Sequence, residues 1–295
     1  MRVWPFVLCL AAGLAPAAMC AGAPLETGER DATLAYAGRL RNPDGGYRSA
    51  AAPGASSLGA TVSGLRAMRY LAAAAPGTDE TRRFVVGCYR ENGSFADAPD
   101  PANVPDIRST AMGLMALVEL KADLSPYATA VPRWLRANAR SLADMYIAAA
   151  VLDAAHIKPA DSEPWEHAFR ETQRPDGSFG SSAMESARGA ITLLRLGRKV
   201  PRAAGLLESL RRAQEGDGGF GAATDASDLP TTYPVLRAFS MLRSKPDTAA
   251  VRRFVRACRN PDGGYGPRPS QPSTLATTYF AAIVFHWLEE MEKAK

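Results

Sequence analysis

One helical pattern of apolar and small residues is written six times along the chain. Thr61-Val62-Ser63-Gly64-Leu65-Arg66-Ala67-Met68 aligns with Thr110-Ala111-Met112-Gly113-Leu114-Met115-Ala116-Leu117, and the segments starting at Met145, Ser186, Thr232 and Thr278 continue the set. These six register residues are 35 to 49 positions apart with no gap, a period that marks stacked helical hairpins. Four residues before each of them stand Ser57, Asp106, Ser141, Ser182, Asp228 and Thr274. All six side chains can cap a helix N-terminus, so this column predicts the helix starts independently of the apolar pattern. Three residues after the register comes a mostly small column, Gly64, Gly113, Ala148, Gly189, Val235 and Ala281. It is read as letting neighbouring helices approach closely.

Amphipathic segments precede the inner ones, as at Asp79 to Tyr89, Ser162 to Gln173, Pro201 to Gln214 and Asp247 to Cys258. Their Arg82-Arg83, Arg211-Arg212 and Arg252-Arg253 pairs read as solvent-facing, which makes these segments an outer layer. Between outer and inner helices lie tight turns carrying Asp44, Asn92, Asp176, Asp217 and Asp262, each followed by glycine. The third repeat has lost its turn and kept its helix. Inner helices about 10 Å apart close six hairpins around an axial space. The terminal repeats look like the others, so closure is favoured over an open solenoid. The expected fold is all-α, a double-layered (α/α)6 toroid built from repeats near 31–75, 78–122, 125–157, 161–198, 200–244 and 246–292.

Residues 1–23 read as a secretory signal, with Arg2, an apolar run from Val3 to Leu14 and small residues ending at Ala21-Gly22-Ala23. The toroid then occupies 24–295, in a periplasmic or secreted protein. Cleavage after Cys20 or Ala21 is an alternative. So is a lipid anchor on Cys20, against which Met19 stands where a small residue is expected. No later apolar run is long enough to span a membrane. The formal charge of +5 includes no Lys/Arg run longer than two residues, which argues against nucleic acid as a partner. Of the four cysteines, Cys88 and Cys258 lie beyond the signal. They fall on the outer helices of repeats two and six, too far apart for a disulfide, and are read as buried free thiols.

The recurring Pro-Asp-Gly-Gly-Phe/Tyr turn, followed by a Thr-Thr-Tyr helix start, resembles the prenyltransferase and squalene-cyclase repeat family. Gln173 to Phe179 and Gln214 to Phe220 are similar to the repeat motif of triterpene cyclases, with Phe in place of Trp. In protein prenyltransferase β-subunits the resemblance implies catalytic zinc held by an Asp and a Cys at the start of the fifth inner helix and a His at the start of the sixth. Alignment on Tyr233 and Tyr279 places those positions at Pro230, Thr232 and Ala276, so no zinc cofactor is expected. His156, His167 and His286 have no Cys or His partners at metal spacing. The Asp-x-Asp-Asp acid motif of class II cyclases is also missing. Asp225-Ala-Ser-Asp228 is the nearest string, and Asp228, like Asp106, is assigned to the capping column.

The columns at −2, +2 and +5 from the register form one helical face. Its eighteen positions hold four arginines, Arg66, Arg108, Arg188 and Arg237, with three methionines including Met112 and Met115, and no acid. If this face lines the axis, the cavity is basic and apolar together, and Tyr146, Tyr233 and Tyr279 add phenols at +1. Asp144 and Glu185 are the candidate carboxylate pair near the mouth and candidate counterions for Arg188. The long loops Ser49 to Ser56, Ala96 to Pro105 and Gly266 to Pro272 lie at the capped end.

These residues support a cavity that takes an apolar or anionic, isoprenoid-like small molecule, or a peptide, without zinc catalysis. One alternative, implied by the resemblance, is an active isoprenoid-handling enzyme of the geranylgeranyl/farnesyl transferase or terpene-cyclase type. The other is a structural scaffold whose outer helices dock a protein partner.

Overall fold

The computed structural model describes residues 25–158, 161–221 and 226–293. The signal segment and Cys20 lie outside the described residues. Twelve α-helices are present among the described residues, with isolated bridges and no strand.

Six inner helices follow directly on the six predicted caps: α2 (Leu58–Tyr70), α4 (Ile107–Glu119), α6 (Leu142–Ala154), α8 (Ala183–Arg195), α10 (Leu229–Met241) and α12 (Leu275–Lys293). Ser57, Asp106, Ser141, Ser182 and Asp228 each accept the N–H three residues on. Thr274 does the same for Thr277. Each inner helix packs on the next, and α12 packs back on α2, which closes the ring. The closure is hydrogen-bonded too, because Leu275 N–H at the start of α12 donates to the Ser49 carbonyl at 2.8 Å.

Outside this ring lie α1 (Thr27–Arg39), α3 (Thr78–Gly87), α5 (Ala130–Asn138), α7 (Glu163–Glu171), α9 (Ala203–Arg212) and α11 (Thr248–Ala257). These helices bury one face and expose the other, as amphipathic helices on a core do. Arg252 departs from the expected solvent-facing pattern, being fully buried. The reason is the greater length of α12, which brings Glu292 to within 2.9 Å of the Arg252 guanidinium.

The turns explain most of the repeat. Gly45, Gly93, Gly177, Gly218 and Gly263 all have φ near +90°, and each presses on the backbone at the start of another outer helix. A Cβ there would be strained and would overlap that backbone. The carboxylate or amide oxygen before each glycine accepts the N–H two residues on, at 2.9 to 3.0 Å. The aromatic residue that ends each turn, Tyr47, Phe95, Phe179, Phe220 or Tyr265, donates its own N–H to the register hydroxyl of Thr61, Thr110, Ser186, Thr232 or Thr278 at 3.1 Å. In the third repeat the turn is missing and the register residue is Met145, which has no hydroxyl to offer.

This geometry changes the meaning of the small column. A Cβ on Gly64, Gly113 or Gly189 would fall within 2.9 Å of the Tyr47, Phe95 or Phe179 ring. The glycines make room for the turn's aromatic ring, not for a neighbouring helix. Cys88 and Cys258 are free and buried, and burial pushes both thiols up to about 12.

Candidate functional site

The inner helices enclose a cavity of about 430 Å³, inside the range of about 300–1,000 Å³ usual for small-molecule sites. Eight of the residues singled out from the sequence line it together: Arg66, Arg108, Arg188, Met112, Met115, Tyr146, Tyr233 and Tyr279. Ile147, Pro230, Pro234, Ala276 and Phe280 supply apolar wall between them. At the capped end, Gly59, Ser63, Arg108 and Ala276 are shared with an outer hollow of about 260 Å³, which also holds Ser49, Asp97 and Asp106. Arg108 is exposed at this mouth. Neither carboxylate of the hollow is idle, since Asp106 caps α4 and Asp97 accepts the Gly59 N–H at 3.2 Å.

The tyrosines meet the arginines one or two turns further along the helices. Tyr279 donates to the Tyr233 oxygen at 3.1 Å. The Arg66 guanidinium stands 4.9 Å from the Tyr279 ring centre, while Arg188 and Arg195 stand 5.4 and 5.6 Å from that of Tyr146. Burial raises the Tyr279 phenol well above its ordinary value, so it keeps its proton and acts as the donor. Burial also pushes on Tyr233, but the charges of Arg66 and Arg195 and the hydrogen bond from Tyr279 outweigh it and bring this phenol below its usual value. The Tyr146 phenol is raised, first by burial and then by the nearness of Tyr233, against the pull of Arg195 and Arg188.

The cavity extends one helical turn beyond the +5 column. At +9 stand Tyr70, Glu119, Arg195 and Trp287, four residues beyond the +5 column and on the same face. Arg195 lines the cavity. Glu119, its side chain 3% exposed, pairs with Arg66 at 3.3 Å and Arg69 at 3.1 Å. The absence of acid on the predicted face therefore does not leave Arg66 without a counterion. Arg237 is not brought to the cavity surface. Trp287 on the adjoining α12 intercepts it, with the guanidinium 5.2 Å from the Trp287 ring centre.

Asp144 and Glu185 serve as capping residues and are not a catalytic pair. Asp144 accepts the Ser141 N–H at 2.9 Å, and Glu185 accepts the N–H groups of Ser181 and Ser182 at 2.7 and 3.1 Å. Those hydrogen bonds hold both carboxyls below their usual values, the opposite of what a general acid needs. Neither pairs with Arg188, which has no ion pair among the described residues.

The positions implied for zinc do not fit the ion. Pro230 and Ala276 carry no donor side chain, and the Thr232 hydroxyl is occupied by the Phe220 N–H at 3.1 Å. Among the described residues no three His, Cys, Asp or Glu side chains converge as metal ligands do. His167 and His286 pair instead with Glu171 and Glu290 on their own helices.

The sequence matches the prenyltransferase alpha-alpha toroid domain model over residues 14–193 and 145–295. The protein belongs to that family. No curated protein matches this toroid by sequence. Among solved structures it is similar to Candida albicans protein geranylgeranyltransferase-I complexed with GGPP, at 15% identity and TM-score 0.64, covering 78% of this chain and 83% of that one. A variant of the type II terpene cyclase MstE from Scytonema, in complex with its product merosterolic acid A, shares 14% identity at TM-score 0.64, over 90% of this toroid and 97% of the cyclase chain. A glycosidase variant in complex with glucose matches at 11% identity and TM-score 0.58, over 90% and 98% of the two chains. At these identities the likeness concerns the fold, and activity has to be argued from the site.

Proposed function

We propose that this toroid binds an amphipathic anion of isoprenoid-like character in its central cavity, without zinc chemistry. The observation that carries the reading is the lining itself: Arg66, Arg108, Arg188 and Arg195 stand among Met112, Met115, Ile147, Pro234 and Phe280, with no carboxylate on the cavity surface among the described residues. With Arg66 countered by Glu119 and Arg108 open to solvent at the mouth, Arg188 and Arg195 are the guanidiniums that call for a ligand's negative charge, and the apolar wall calls for hydrocarbon beside it. The fold neighbours complexed with GGPP or with a geranylgeranyl dihydroxybenzoate substrate support this choice of ligand class. Against a cyclase-type or zinc transferase reaction stand a cavity surface with no acid among the described residues to protonate an alkene and side chains at 230, 232 and 276 that do not fit the metal.

The proposal extends to export, on the strength of the residue 1–23 pattern. No described helix is long and apolar enough to cross a membrane.

The test is native mass spectrometry of the chain purified without refolding, followed by calorimetric titration with farnesyl diphosphate and farnesol. A copurified or titrated amphiphile bound one to one, with no zinc, supports the reading. A chain that binds neither probe and carries stoichiometric zinc overturns it.

A further inference from the structure

The charge in this cavity is not concentrated at its mouth. Arg195 has a side chain only 7% exposed, yet its Nε and Nη1 atoms have no hydrogen-bond partner. The nearest carboxylate, Asp153, is 3.8 Å away and half in solvent, too far for a hydrogen bond. Arg188 Nε is likewise buried without a partner. Both guanidiniums flank the Tyr146 ring, at 5.4 and 5.6 Å from its centre. A buried cation whose donors are unfilled and whose ion pair is long is costly, and natural proteins satisfy such groups with a partner. Arg66 Nε also lacks a hydrogen bond, but there the charge is neutralised by the buried carboxylate of Glu119 at 3.3 Å.

The position of this pair relative to the wall is equally informative. The −2 column, with Arg108, Pro230 and Ala276, forms the open end. From there to Arg195 at +9 the α8 backbone advances eleven residues, about 16 Å along the axis. Pro230 stands at the −2 level and Met112, Ile147, Pro234 and Phe280 at the +2 level, from which Arg188 also springs, so the wall between the opening and Arg195 is mostly apolar. An amphiphile whose charge sits at Arg195 and Arg188 has its hydrocarbon against these residues, pointing outward.

We infer that Arg188, Arg195 and the Tyr146 hydroxyl form an inner oxyanion subsite, which takes a carboxylate or phosphate head first while the apolar body lies toward the mouth. The inference rests on the cavity-binding reading above and adds the place and orientation of the head. Two planar guanidinium forks suit the bidentate recognition of such groups, and a buried phenol that keeps its proton adds a third donor.

Decanol, decanoate and decyl phosphate, titrated into the full chain, separate the two claims. The wild type is expected to bind at least one anion about tenfold tighter than decanol. Arg195→Met and Arg188→Met should each erase that advantage while leaving decanol binding in place, and the control Arg253→Met, on the exposed face of α11, should retain it. Loss of a buried cation held only by a long, half-exposed ion pair should also leave the ligand-free melting temperature of Arg195→Met equal to or above that of the wild type, whereas a merely structural arginine would lower it. A decyl phosphate carrying a photo-reactive group at its tail end should label the Met112 and Phe280 level. Decanol binding with the anion advantage kept in Arg195→Met and Arg188→Met, or lost chiefly in Arg108→Met, overturns the inner subsite and leaves the cavity reading standing. Failure of all three probes overturns both.

Discussion

Glu119 on α4 reaches Arg66 on α2 at 3.3 Å inside the ring, with the carboxylate side chain 3% exposed. Glu119→Gln leaves the Arg66 charge without its counterion, and breaking a buried pair from one side costs about 3–5 kcal/mol. Replacing both, as Arg66→Met with Glu119→Leu, should recover most of that loss, because neither charge then has to be desolvated. Urea denaturation of the two variants checks this, and equal losses in single and double variants would contradict it.

A second pair tests the logic of the turns. The Ser56 Cβ lies 2.5 Å from where a Cβ on Gly46 would be, and its hydroxyl donates to Asp44 at 2.7 Å. Gly219 with Ser227 and Gly264 with Ser273 repeat the arrangement, whereas in the Asp176 turn Ser178 supplies the hydroxyl from within the turn, also at 2.7 Å. Gly46→Ser alone should therefore cost about 1–3 kcal/mol through overpacking. Gly46→Ser combined with Ser56→Gly rebuilds the Asp176 type of turn and should regain most of the stability. A double variant no better than the single one would refute the equivalence.

Thr232 is expected to be a latch. Thr232→Val removes the acceptor for the Phe220 N–H and should cost about 1–3 kcal/mol, the usual penalty for a buried donor left unpaired. Thr232→Ser keeps the acceptor and should cost less than half as much. Thermal melting of the two variants decides between this role and a position whose hydroxyl is dispensable.

The capping boxes predict acid sensitivity with a definite sign. The backbone N–H groups of Ser141 and Ser181 hold the Asp144 and Glu185 carboxyls below their usual values. Their contribution is thus present above the unfolded values near about 4 and is lost as the pH falls through the lower folded ones. Asp144→Asn with Glu185→Gln should melt lower than the wild type at about pH 6, and the two curves should converge on acidification. Parallel curves from about pH 6 to pH 2 would show that the caps carry no proton linkage.

Burial of the Cys88 and Cys258 thiols, both pushed up to about 12, predicts chemical inertness. In the native protein an aromatic disulfide reagent should titrate neither thiol within the time it takes to titrate both in denaturant. Rapid labelling of either one in the native state would require that outer layer to open.

The order of the elements was local information. Capping side chains at fixed offset, Asx-Gly turns and the register hydroxyls act within one repeat, so their spacing specified six hairpins, and the similar terminal repeats implied a closed ring. The −2, +2 and +5 columns, with the tyrosines at +1, likewise selected eight residues that meet in one cavity. What each cavity residue does was decided between repeats. Arg66 is neutralised by a glutamate one repeat away, Arg237 is covered by Trp287 from the next inner helix, and Asp144 and Glu185 turn back to their own helix ends. Arg195 was missed because the face was followed only to +5, although long side chains carry chemistry a full turn beyond the last residue of a periodic pattern. Periodicity determines which way a Cβ points. The partner that a flexible guanidinium finds depends on the helix beside it, which only the closed ring supplies.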